Sequence, residues 1–139
     1  MRRQIYKHFT LLLWGGFIYY LIEMIYRGYS HPSMFLAGGL CFVLIGMINH
    51  YFPWSLGIAQ QALIGAAIIT FIELACGLIV NIWLGLDIWD YSHLPLNFIG
   101  QISLLFFFLW IPLAVVAIFL DDWLRYKLFD EEKPHYTIF

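Results

Sequence analysis

Residues Leu63–Val80 read LIGAAIITFIELACGLIV, eighteen positions carrying one charged side chain, Glu73. The stretch widens to Ile58–Leu84 without gaining a second charge. A helix needs about 20 apolar residues to cross the ~30 Å hydrocarbon core of a bilayer. This run is long enough, and it does not alternate as a barrel strand would. An ionised carboxylate is costly in hydrocarbon, so Glu73 must face a protein interior, a partner or water. It is protonated, hydrogen-bonded across helices, or beside a watery cavity. Thr70, Gln60, Gln61 and Gln101 are its candidate partners.

Three more apolar runs flank it, at about 9–26, 34–52 and 97–120. Of 139 residues 63% are hydrophobic and 12% charged, against about 25% charged in an ordinary soluble domain. The chain is therefore expected to be an all-α membrane protein. Four transmembrane helices, at 9–26, 34–52, 58–84 and 97–120, would form one membrane domain over 1–139, with an interfacial tail over 121–139. No small-x-small site follows the first run, which is helix rather than cleaved signal. Cys41 and Cys76 fall within spans and read as packing residues.

Seven Lys and Arg residues set the orientation. Arg2, Arg3 and Lys7 precede the first run; Arg125, Lys127 and Lys133 follow the last. Only Arg27 lies between. The positive-inside rule places both termini in the cytoplasm of a bacterial-type inner membrane. Tyr19, Tyr20, Tyr26, Trp54, Trp83, Trp89, Tyr91 and Trp123 lie near expected span ends, where amphipathic rings favour the headgroup layer.

Tyr-Ser-His occurs twice, at Tyr29–His31 and Tyr91–His93. Each copy is followed by a proline (Pro32, Pro95) and by a glycine nine residues after the tyrosine (Gly38, Gly100). Each is preceded by a glutamate, Glu23 or Glu73. The pattern reads as two parallel, pseudo-repeated helical hairpins, both Tyr-Ser-His segments converging on the outer face. Read mechanically, the prolines suit first helical turns, and Ser30 or His31 suits a cap.

Glu23 precedes Arg27 by four residues, the favourable order for a helical ion pair. Asp87, Trp89, Asp90, Tyr91, Ser92 and His93 make an outward polar cluster with Arg27 and His31. None of its pairs has metal-site spacing, so no metal or cofactor is expected. No phosphate loop of the form G-x-x-x-x-G-K-S or -T is present, so this chain binds no nucleotide that way. Nothing points to nucleic acid. Small residues, among them Gly15, Gly16, Gly39, Gly46, Gly65 and Gly77, mark close helix contacts.

These residues also carry a resemblance. The pattern Tyr20–Leu–Ile–Glu23, Arg27–Gly28–x–Ser30–His31, Gly38–Gly39, Asn49, Gln61, Thr70–x–x–Glu73 and Gly77 resembles the bacterial membrane family labelled "putative ABC-transporter type IV", or CmpB-like. So do Trp89–Asp90–Tyr91–Ser92, Pro95–x–Asn97 and Gly100–Gln101. The likeness covers about Phe17 to Leu120. It implies a small polytopic membrane protein with a permease-like role. The family's recurrent polar positions would fall on Glu23, Arg27, Ser30, His31, Glu73, Asn81, Trp89, Asp90, Tyr91, Ser92, Asn97 and Gln101. With His93, these are the expected ligand-binding residues.

The functional expectation is a transport-related component that binds a small polar or lipidic ligand in an outward-facing pocket. Four spans are few for a solitary pathway. A homodimer, or a larger membrane partner, is expected beside the lipid bilayer. Two other classes stand beside it: an enzyme acting on lipid headgroups through Asp90, His31 and His93, and a structural or assembly factor whose polar residues lock helices.

Overall fold

A computed structural model describes residues 2–28, 31–48 and 57–129. Four helices run through them: α1 Arg2–Arg27, α2 Pro32–Gly46, α3 Ile58–Gly77 and α4 Leu104–Phe129. A π-helical turn, Leu78–Trp83, extends α3. Two short antiparallel strands, β1 Asn97–Phe98 and β2 Ile102–Ser103, precede α4.

Three of these elements are long and apolar enough to cross a membrane: α1, α3 with its π turn, and α4, each of 26 residues. At 1.5 Å per residue each reaches about 39 Å. The chain is a helical membrane protein. Helix α2 is shorter, at 15 residues. Side chains such as Phe9, Phe17, Leu21, Phe71 and Phe108 point away from the packed interior, where lipid would solvate them.

The helices pair in chain order. α1 lies chiefly on α2, and α3 on α4, while α2 also reaches α3 and α4. Glycine makes the first pairing close. A Cβ on Gly39 would strike the Leu12 carbonyl oxygen, and one on Gly15 would strike the Phe42 ring. In lipid no water is displaced when helices meet, so backbone proximity and dispersion drive association. α1 barely touches α4, and this gap opens the cavity described below.

Helix α2 begins as its sequence implies. His31 is extended, its Nδ1 accepts from the Ser33 amide at 3.1 Å, and Pro32 occupies the first turn. Ser30 and Tyr29 lie outside the described residues. The second Tyr-Ser-His segment behaves differently. Pro95 starts no helix; α4 begins only at Leu104. Leu96, Ile99 and Gly100 all have positive φ, and the Gln101 amide donates to the Phe98 carbonyl at 3.0 Å. Positive φ at both central residues is what a type I′ hairpin turn requires. Asn97 stabilises it: its Nδ2 donates to the Leu94 carbonyl at 2.7 Å, and its Oδ1 accepts from the Gly100 amide at 3.0 Å. The apolar run at 97–120 therefore opens as a hairpin. Asparagine competes for backbone groups that a helix would otherwise use.

The end of α4 also departs from expectation. Residues 121–129, read as an interfacial tail, continue the helix, with Asp121, Asp122, Leu124, Arg125 and Phe129 buried. Arg125 Nε donates to Asp121 Oδ2 at 2.8 Å, and the Asp121 side chain is 0% exposed. Gly46 makes room for that carboxylate, which a Cβ there would overlap. Lys7 and Gln61 are buried too. A polar layer thus closes the end of the molecule where α1 starts and α4 finishes.

Candidate functional site

Between α1–α2 on one side and α3–α4 on the other lies a cavity of about 120 Å³. Roughly 10–15 Å³ of such volume holds one water, so the space suits a small molecule. Its polar pole carries Tyr19, Glu23, Arg27, Glu73, Tyr91 and Trp110; the remaining wall includes Phe42, Ile45, Val116 and Ala117. Cys41 and Cys76, both free thiols, also line it.

The last turns of α1 supply the first half of the pole. Tyr19, Glu23 and Arg27 repeat every four residues, so they share one helix face. Arg27 Nε lies 2.9 Å from Glu23 Oε2 in an ion pair, and the Tyr19 hydroxyl donates to Glu23 Oε1 at 3.0 Å. Arg27 Nη1 also donates to the Ile88 carbonyl at 3.4 Å, tying α1 to the loop after α3.

Glu73 supplies the second half, with partners from other elements. The Tyr91 hydroxyl donates to its Oε2 at 2.8 Å, and Trp110 Nε1 to its Oε1 at 3.3 Å. None of the four partners expected from sequence bonds to it. Thr70 instead donates to the Ala66 carbonyl at 2.8 Å, the back-bond a helical threonine commonly makes. Tyr91 is held by stacking on Phe106 at 4.5 Å between centroids, and its amide donates to the Gly100 carbonyl at 2.7 Å. Burial, and then the charge of Glu73, push the Tyr91 phenol well above its usual range. It therefore remains a donor.

A second network holds the loop. Asn81, carried by the π turn, donates to Gln101 Oε1 at 2.8 Å and accepts from the Ile88 amide at 2.7 Å. The Trp89 indole donates to the Gln101 carbonyl at 3.0 Å. Gln101 fits because Gly77 offers no Cβ. π-Helical turns are rare and often sit at functional sites.

Of the expected ligand-binding residues, Glu23, Arg27, Glu73, Trp89 and Tyr91 line the cavity. Asn81, Asn97 and Gln101 brace the loop, and His31 caps α2. Asp90, Ser92 and His93 are exposed. Asp90 Oδ1 accepts from the Ser92 amide at 2.9 Å. The Ser92 hydroxyl and then its amide hold the Asp90 carboxyl below its usual value. A depressed carboxyl stabilises the turn above the ordinary pKa of about 3.9, and this is lost as pH falls through the lowered value. Protection of the Ser92 amide, its exchange rate set against that of an unstructured peptide at the same pH, is expected to fall below about pH 4 and to stay constant from pH 5 to 8. Loss of protection across that neutral range instead would rule Asp90 out as the clasp.

Two wall residues were not expected. Tyr19 was assigned to the headgroup layer, yet it stands four residues before Glu23, within helical reach. Trp110 sits inside an apolar run, where its indole N–H needs a partner; that was the available signal.

The fold and cavity define a class: a helical membrane protein whose interior carries an acid-rich polar pole and an apolar wall. Over residues 10–137 the chain matches the family described as "putative ABC-transporter type IV". It belongs to that family. Neither the curated proteins nor the solved structures include a match to this chain.

Proposed function

We propose that the chain is a transport-related membrane component that binds a small amphipathic molecule in this cavity, opening toward the outer face. The observation that carries the reading is the asymmetry of the wall. Polar groups from α1, α3, α4 and the loop converge at one pole, and the rest is apolar. A molecule with one polar end and an apolar body satisfies both. Ligand sites are commonly apolar clefts with a few placed polar groups. Lys and Arg clustered toward the termini support an orientation with both ends in the cytoplasm. The two helix pairs fit a pair of pseudo-repeated hairpins, and a homodimer or a larger membrane partner would complete a pathway.

The test is a density map of the purified protein in a lipid bilayer, with native mass spectrometry of the same sample. A bound molecule between Glu73 and Ala117 is expected, and Ala117→Phe, which fills the apolar wall, should remove it. A cavity occupied only by repacked side chains would sink the proposal. Glu73 joins α3, the loop and α4 through two hydrogen bonds, which favours a second reading as helix glue. In that case Glu73→Gln lowers thermal stability and leaves every bound molecule in place.

A further inference from the structure

We propose that the molecule taken up by this cavity is a monovalent organic cation, an ammonium group on an apolar body. The inference rests on the reading that the cavity holds a ligand, and it names the ligand's charge. Glu23 is neutralised by Arg27 at 2.9 Å. Glu73 receives two hydrogen bonds but, among the described residues, has no basic partner. The pole therefore carries one uncompensated negative charge whenever Glu73 is ionised. The Trp110 indole can only donate, so Glu73 Oε1 is an acceptor. A buried charge without a counter-ion is costly, and a cationic ligand removes that cost on entering.

The walls narrow the class. Tyr19, Trp89, Tyr91 and Trp110 line the same space as Glu73. Aromatic rings beside a carboxylate attract weakly hydrated ammonium groups through their negative faces. A hard divalent ion wants about six or more oxygen ligands, and this wall offers one carboxylate without a counter-ion, Glu73, amid apolar and aromatic side chains. An anion would need Arg27, which is already engaged by Glu23 and the Ile88 carbonyl. An ammonium could arrive as a free amine or as a lipid headgroup; the chemistry recognised is the same.

The experiment uses the full chain in bilayers of uncharged galactolipid, with radiolabelled benzyltrimethylammonium as the probe. Saturable binding is expected. Unlabelled benzyltrimethylammonium should displace it at a concentration at least about tenfold below that needed of its neutral isostere neopentylbenzene or of benzylsulfonate. Glu73→Gln should weaken binding by at least about tenfold. Displacement by lysophosphatidylcholine, but not by lysophosphatidylglycerol, would assign the ammonium to a lipid headgroup; displacement by free amines alone would assign it to a small molecule. Equal competition by the neutral or anionic analogue overturns the proposal, as does unchanged affinity in folded Glu73→Gln. Should Glu73→Gln fail to fold, the ranking of competitors in the native chain still decides. Binding of labelled neopentylbenzene without the cation removes the charge assignment and leaves the cavity reading standing. Binding of neither removes both.

Discussion

Asp121→Ala will lower the unfolding free energy by about 3–5 kcal/mol, the range found when one partner of a buried ion pair is removed. The Asp121 and Arg125 side chains are 0% and 7% exposed, at 2.8 Å from one another. Neither can be rehydrated without opening the helix contacts around it. The alanine takes the Asp121 carboxylate away from the buried Arg125 guanidinium. Replacing both by leucine should recover much of the loss, because an apolar pair removes the desolvation cost of both ions. Denaturant titration in detergent micelles, followed by circular dichroism, reads both variants. A single variant as stable as the native chain would refute a structural role for the pair. So would a double variant no better than the single one.

Tyr91→Phe is the next largest, at about 1.5–3 kcal/mol, typical of a hydrogen bond to a charged group. It deletes the 2.8 Å donor to Glu73 and leaves the ring stacked on Phe106. Trp110→Phe should cost less, since its bond to the same carboxylate is 3.3 Å. The decisive comparison is a cycle with Glu73→Leu: in that background the tyrosine substitution should lose most of its effect. Additive costs would mean that Tyr91 acts through its packing alone. Alkaline titration gives an independent reading. Burial and Glu73 raise the Tyr91 pKa in the folded chain. Its contribution is therefore full below the unfolded value of about 10 and is lost as pH climbs beyond it. Tyr91→Phe should flatten that part of the alkaline stability curve.

Much of the local structure was legible in the chain. Run length alone identified four apolar helices, because lipid offers backbone groups no hydrogen bonds and a helix satisfies its own. The Glu23–Arg27 pair and the His31–Pro32 start of α2 were legible for a similar reason: each depends on residues within one helical turn. The 97–103 hairpin was harder. Asn97, Gly100, Gln101 and Ser103 set it apart from the apolar helix that follows, and Gly100 has φ +73°.

Run length and hydropathy alone establish a helical membrane protein with two acids inside apolar runs, because they decide what lipid will accept. The partners of Glu73, by contrast, come from the packing of separate elements. Helices that are apolar nearly all round carry no stripe from which a facing side can be read. Glu73 meets Tyr91 and Trp110 across 18 and 37 residues of chain, a pairing that the loop and helix packing create. Asp121 and Arg125 likewise leave the interface for the interior because Gly46 vacates the space their ion pair needs. Spacing along a chain reports neighbours within a turn; contact between helices is settled by shape, where one missing Cβ determines how close two backbones come.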